Sequence, residues 1–177
     1  MVLNTPRLRL RCWRETDGDA LAAMHADAEV MADYGRLLSR TESDARLDRY
    51  VAAFHRHGIC RWVVESRGGD FLGYTGIAPS HPENPLAPHM EIGWRLIRRA
   101  WGYGYATEAA RAALADAFDR VGLKELLAYT APDNLRSQAV MARLALERDP
   151  ERDFTMYSDG ITWHQLVWVA RRPEPPT

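Results

Sequence analysis

Two glycines a residue apart, Gly102 and Gly104, sit between an alternating apolar stretch at 90–97 and an alanine-rich run from about Ala106. That spacing suits anion chemistry. Met90, Ile92, Trp94 and Leu96 alternate with Glu91, Gly93 and Arg95, which predicts a strand. Thr107 and Glu108, followed by Ala109, Ala110, Ala112, Ala113 and Leu114, predict a helix. The first amides of a helix have no intrahelical acceptor, and the helix dipole adds partial positive charge there. A glycine turn in front lets the backbone approach a bulky anion such as a phosphate. Arg98 and Arg99 stand beside the turn with charge to match. The same glycines also suit a plain structural turn.

The elements that must hold this turn follow from periodicity. Residues 5–13 place Leu8, Leu10 and Cys12 on one face and Arg7, Arg9 and Arg11 on the other, a half-buried strand with a solvated arginine face. Asp17 is expected to cap a helix to about Ala28, with Leu21, Met24, His25 and Ala28 on one side and His25 a semi-buried, satisfied residue. The pattern breaks at Tyr34 and Gly35. Thr41 is the expected N-cap of a second helix, striped by Leu47, Tyr50, Val51 and Phe54 and closed near Gly58. Strands at 61–66 and 71–78 flank the turn Arg67-Gly68-Gly69-Asp70, a hairpin signal. Gly73 and Gly76 within the second strand mark a close backbone approach or a bulge. Four prolines make 78–89 a rigid loop: the mouth of a site, a dimer contact or a plain connection.

After the central helix, Gly122 is a natural stop. A strand at 125–131 ends at Pro132, and Asn134 or Asp133 caps a helix to about Glu147. The chain finishes with a hairpin around Ser158-Asp159-Gly160 and a proline-rich tail, 171–177, expected to fray. This order fits one layered α/β (α+β) domain over 1–170: a mixed sheet with helices on its faces.

Composition excludes several classes. The chain has 177 residues, 46% hydrophobic and 27% charged, with a formal net charge of −1, so no basic field points to nucleic acid. Arginine far outnumbers lysine. Cys12 and Cys60 lie far apart without metal-ligand spacing and read as buried free thiols, so no metal is expected. No apolar run reaches the ~18 residues of a membrane span, and no apolar signal-peptide core opens the chain, so a cytoplasmic protein is expected.

The residues that carry chemistry resemble a family. Arg99-Ala100-Trp101-Gly102-Tyr103-Gly104 fits the Gln/Arg-x-x-Gly-x-Gly/Ala signature of the GNAT superfamily of acetyl-CoA-dependent N-acetyltransferases. Glu91-Ile92-Gly93-Trp94 and the run Trp101 to Ala109 look like the branch that acetylates ribosomal-protein N-termini (RimJ/RimL-type). So do the opening Thr5-Pro6-Arg7-Leu8-Arg9-Leu10-Arg11 and Asn134-x-x-Ser137 with Val140-Met141 and Leu144. A dinucleotide fold would need a third glycine where Thr107 stands, and no Gly-Lys-Ser/Thr of a nucleotide-triphosphate loop is present.

The resemblance implies a mostly antiparallel sheet of about seven strands flanked by about four helices. Its fourth and fifth strands (90–97 and 125–131) would splay to admit acetyl-CoA as co-substrate, Gly93 marking a bulge where they part. The pyrophosphate would rest on residues 99–106 and the first turn of the helix: Arg99, Trp101, Gly102, Tyr103, Gly104, Tyr105, Ala106 and Thr107, with Arg98 alongside. The pantetheine arm would pair with Leu96 and Ile97. Trp94 to Ile97 and Leu127 to Tyr129 would line the cleft, with Asn134 and Ser137 touching the CoA on its far side. The acceptor is a primary amine, whether a protein N-terminus, a small amine, an amino acid or an antibiotic, attacking the thioester directly. Glu91 is the expected base and His89 its alternative; as a bland reading, Glu91 is a salt-bridging carboxylate. An amide near Ile97 would polarise the carbonyl. Met141 stands where many relatives have a tyrosine acid; Ser137 looks like the residue given that task in the resembling branch and is the expected acid, with Tyr129 the alternative. Arg36, Arg40, Asp44 and the proline-rich loop are expected to set acceptor choice. A homodimer is possible. Ala145-Leu146 replaces the usual Gly-Phe, so the last helix is expected to run longer. The competing readings are an acyl-CoA sensor without turnover and a structural domain whose glycine loop is only a turn.

Overall fold

A computed structural model describes residues 1–59, 61–158 and 160–173. Cys60, Asp159 at the hairpin turn and residues 174–177 of the tail lie outside the described residues. Among the described residues, nine strands and four α-helices follow in order: β1 Val2–Asn4, β2 Leu8–Arg11, α1 Gly18–His25, α2 Arg40–His57, β3 Arg61–Ser66, β4 Phe71–Pro79, β5 Met90–Leu96, α3 Tyr105–Asp119, β6 Glu125–Thr130, α4 Leu135–Arg143, β7 Glu147–Arg148, β8 Phe154–Ser158 and β9 Ile161–Arg171. The sheet order is β1-β2-β3-β4-β5-β6-β9-β7, with β8 paired to β9. Every pairing is antiparallel except β5 with β6. The architecture is the mixed, mostly antiparallel layered sheet expected, with two short strands, β1 and β7, among the nine. Arg171 pairs with Glu125, so the tail is held in the sheet at its first residue.

Period-2 alternation sorts the sheet into two buried faces. Trp62, Val64, Ile92, Leu96, Leu126 and Ala128 pack under α3 through Ala109, Ala110, Ala113 and Ala117. Small alanines let the helix lie close to the sheet. Val63 and Tyr74 face the other way, onto Leu21 and Met24 of α1 and Leu47 of α2. The site lies where β5 and β6 separate between these layers. Their pairing is confined to Glu91 opposite Leu127.

Several local expectations are corrected. Arg11 is not on a solvated face: it is 6% exposed, and its guanidinium meets Asp17 and Glu65 at 2.7 Å each. Two carboxylates compensate a charge that burial alone would make costly. Asp17 is therefore committed to Arg11 and to the Arg14 amide instead of capping α1. The helix stops at His25, short of Ala28, where the Asp27 carboxylate accepts from the amides of Glu29 and Val30. Ser39, not Thr41, caps α2: its hydroxyl accepts from Glu42 N while Glu42 reaches back to the Ser39 amide, a reciprocal capping box.

Gly93 marks no bulge, since the β4–β5 register runs unbroken through it; the β3–β4 register shifts instead between Val64 and Glu65, leaving Leu72 of β4, beside Gly73, as the extra residue. A β-carbon on Gly93 would fall 2.3 Å from Arg61 Nη1, so this glycine clears room for an arginine. Asn134, not Asp133, caps α4, accepting from Ser137 N at 3.1 Å. α4 ends at Arg143 and does not extend. Ala145 takes φ +56°, the left-handed conformation that the glycine it replaces would adopt freely.

Candidate active site

The chain leaves β5 through a single 3-10 turn at Arg98–Ala100 and enters α3 at Gly104. Gly102 and Gly104 adopt φ +83° and +77°, a reversal that side-chain-bearing residues reach only with strain. The result is a row of donors. Among the described residues, the main-chain amides from Gly102 through Thr107 make no hydrogen bond, and the next, Glu108 N, begins the helix on Gly104 O at 3.0 Å. Six successive free N–H groups at a helix start form an anion-binding nest. The Thr107 hydroxyl, on the wall of the same opening, is also buried without a hydrogen-bond partner among the described residues.

The nest is held from behind by the N-terminal segment. Glu108 accepts from Thr5 Oγ1 at 2.6 Å, Arg7 N at 2.9 Å and Arg7 Nε at 2.7 Å. Arg7 Nη1 donates to Tyr103 O at 2.8 Å, and its guanidinium lies 4.8 Å from the Tyr105 ring centroid. Burial opposes ionisation of Glu108, but its hydrogen bonds from Thr5 and Arg7 outweigh this and hold its pKa below the ordinary range.

In front of the nest opens a cleft of about 910 Å³. Its walls are β5, the glycine loop with the start of α3, α4, and the connection between α1 and α2. Leu96, Trp101, Gly102, Tyr103, Gly104, Tyr105, Ala106, Thr107, Asn134 and Ser137 all line it, together with Trp94. The Trp101 ring is fixed by Nε1 donating to Leu96 O at 2.9 Å, and Arg136 of α4 lies 3.9 Å from its centroid.

The other expected cofactor contacts are not brought in. Ile97 N donates to Leu72 O at 3.0 Å and so belongs to the sheet. By the alternation of an antiparallel ladder, the Trp94 and Leu96 amides turn to the opposite edge, toward the gap before β6. Arg98 pairs with Glu29, and Arg99 lines a separate hollow with Ser66, Asp70 and Tyr103. Arg136, Arg143, Glu29 and Asp33 line the cleft instead, with nothing in their type or spacing to mark them beyond their place near helix starts and breaks. Leu127 and Tyr129 turn to a cluster with Leu86, Val167 and Phe154 rather than to the cleft.

Glu91 lies outside that lining, on the α1–α2 face of β5. Its Oε1 accepts from Arg61 Nη2 and its Oε2 from the Tyr129 hydroxyl. Its salt bridge and its place beside the β5–β6 gap coexist. The His89 and Tyr129 rings meet edge to face at 5.9 Å, and His89 Nδ1 is 3.1 Å from Leu86 O.

Comparison with known proteins gives the cleft a context. Residues 7–147 match the family model described as "Acetyltransferase (GNAT) domain". The chain is 34% identical to the uncharacterized protein YkkB of Bacillus subtilis, over 96% of this chain and 94% of that one. It is 36% identical to the FsC-acetyl coenzyme A-N(2)-transacetylase of Aspergillus fumigatus, over 82% of this chain and 64% of that longer protein. An acetyltransferase structure from Agrobacterium tumefaciens superposes with a TM-score of 0.82 at 28% identity, covering 97% and 95% of the two chains. The fold is shared, at 15% identity and a TM-score of 0.75, with RimL, a ribosomal L7/L12 α-N-protein acetyltransferase in complex with coenzyme A, over 97% and 98% of the chains. With an unpaired amide nest at a helix start and a family model spanning most of its length, the chain belongs to the GNAT acetyltransferase family and is an acetyl-CoA-dependent acetyltransferase.

Proposed function

We propose that the protein transfers the acetyl group of acetyl-CoA to a primary amine by direct attack in a ternary complex. The row of free amides from Gly102 to Thr107 carries the reading. A pyrophosphate accepts from these N–H groups and gains from the dipole of α3. The pantetheine arm runs along β5, where the Trp94 and Leu96 amides are free of the ladder, with Asn134 and Ser137 across the cleft. The Leu96 amide is the donor for the thioester oxygen as negative charge develops there.

Amine attack needs a proton acceptor, and Glu91 stands on the strand that carries the thioester. It takes the proton itself or through Tyr129, whose hydroxyl already bonds to it. Arg61 holds the carboxylate in place. Ser137, on the cleft side of α4, returns a proton to the leaving thiolate. The transacetylase relative acts, by its name, on an N(2) amine, which supports a small amine as acceptor beside a protein N-terminus.

Calorimetric titration of acetyl-CoA tests the cofactor half, and absence of binding heat rejects it. Thiol release across a panel of amines tests the transfer: binding without release on any amine favours a sensor.

A further inference from the structure

The α1–α2 face of the sheet beside Glu91 carries more positive charge than its own carboxylates compensate. Arg61 of β3 stands in register with Gly76 of β4, and Gly76 with Gly93 of β5. With no side chain at either glycine, the Arg61 guanidinium reaches across two strands to Glu91. Arg95, two residues along β5, pairs with Asp33 through two bonds of 2.7 and 3.0 Å. Arg46 approaches from α2. It donates to the Tyr34 hydroxyl at 2.6 Å, lies 4.7 Å from that ring's centroid, and has no carboxylate in ion-pair range among the described residues.

The three guanidiniums act on common neighbours. Burial opposes ionisation of Tyr74, yet Arg95, Arg46 and Arg61 together bring its pKa below the ordinary value. Arg46 and Arg95 both oppose protonation of His25, which burial already keeps neutral. Counting carboxylates alone, with Tyr74 as the phenol, the inventory of the cluster is three cations, Arg46, Arg61 and Arg95, against two anions, Glu91 and Asp33. One charge is left over, in a place where an uncompensated cation is costly.

Its polar atoms point to a ligand as well. The side chains of Arg61 and Arg95 are 10% and 13% exposed, and the Nε–H of each is buried without an acceptor. The same holds for the indole N–H of Trp163, whose ring packs 5.2 Å from Tyr34. These orphans are donors, so the missing groups are oxygen acceptors. By contrast, Arg40, expected from sequence with Asp44 to set acceptor choice, pairs with Asp44 and Asp19 in the open.

We propose that the acceptor is an amine of the amino-acid type, with its carboxylate held by Arg46 and the Nε–H of Arg95 while its amine faces Glu91. A guanidinium matches a carboxylate in charge and geometry. A single leftover positive charge fits a monoanion better than a phosphate dianion. This inference rests on the acetyl-transfer reading and excludes an uncharged amine as the preferred acceptor.

Calorimetry on the CoA-bound protein decides it without turnover. The probes are the N-acetyl forms of the common amino acids and the matching N-acetyl carboxamides. For at least one side chain the acid should bind tighter than its amide by about tenfold or more, the scale of a charged hydrogen bond. Arg46→Gln should abolish that preference and Arg46→Lys should restore part of it, with CoA affinity unchanged in both. Acids and amides that bind alike, or a preference that survives Arg46→Gln, overturn the inference. Should the glutamine variant not fold, the acid-to-amide ratio of the native protein and the lysine variant decides. Thiol release from acetyl-CoA is read separately. Amines and amino acids acetylated equally well overturn the inference and leave acetyl transfer standing. An acid preference without release on any amine supports the subsite and rejects the transfer.

Discussion

The two halves of the site are built on opposite plans. The cofactor half is local and made of backbone: six consecutive amides, two left-handed glycines and a helix start, all within one short stretch. The acceptor half, as proposed, is made of side chains from distant parts of the chain. Tyr34 precedes α2, Arg46 lies on it, Arg61 and Arg95 come from β3 and β5, Tyr129 from β6 and Trp163 from β9. A backbone site depends on conformation, and conformation is written in glycine and helix signals. A side-chain site depends on register and packing, which only assembly supplies.

Substitutions can break this contrast. The largest effect should come from Glu91→Gln, which keeps shape and removes the proton acceptor. The expected loss in kcat is about 10²–10⁴-fold. Full activity across pH would leave Glu91 as no more than a partner for Arg61 and Tyr129.

Acidification should strike the acceptor half next. His25 is wholly buried, its Nδ1 lies 2.8 Å from Ser43 Oγ, and burial followed by the charges of Arg46 and Arg95 lowers its pKa to about 4 from 6.5. The unfolded chain takes up this proton at higher pH than the folded one. Stability from this source is therefore complete above pH 6.5 and is lost as pH falls toward 4, with a ceiling of about 3 kcal/mol. Denaturant midpoints across that window should show the slope, and His25→Gln should flatten it.

Gly104→Asp probes the nest. A β-carbon at φ +77° strains the turn, and a carboxylate repels the bound anion. Acetyl-CoA affinity should fall by about 2 kcal/mol, roughly 30-fold. Unchanged affinity would remove the nest as the pyrophosphate site.

The smallest effect sharpens the comparison. Glu108→Gln loosens the brace from Thr5 and Arg7 without touching the acceptor face. KM for acetyl-CoA should rise by a few-fold, about 1 kcal/mol, while KM for the amine stays constant. An equal rise in both would mean that the halves are not independent.

How much was readable follows the same division. The anion cradle, the hairpin at 67–70 and the stop at Gly122 rest on glycines and turns, and periodicity placed the strands at 61–66, 71–78, 90–97 and 125–131 within a residue or two. Alternation reports direction and not what is met there, so it cannot show that Asp17 and Glu65 turn an outward Arg11 into a buried one. The Ser-x-x-Glu box that makes Ser39 a cap is local and legible in the chain. Ala145 could not reveal its left-handed φ, since the residue type argues against it.

Sequence by itself determined the family, with the acetyl-CoA dependence that goes with it, and the glycine turn at the start of α3, because these depend on neighbours along the chain. Only the tertiary structure decided that Gly93 makes room for Arg61 rather than a bulge, that Ile97 belongs to the sheet, and that Arg46, Arg61 and Arg95 share one face. Those facts depend on which strand lies beside which and in what register, and a charge finds its partner only when the packed layers bring the two together.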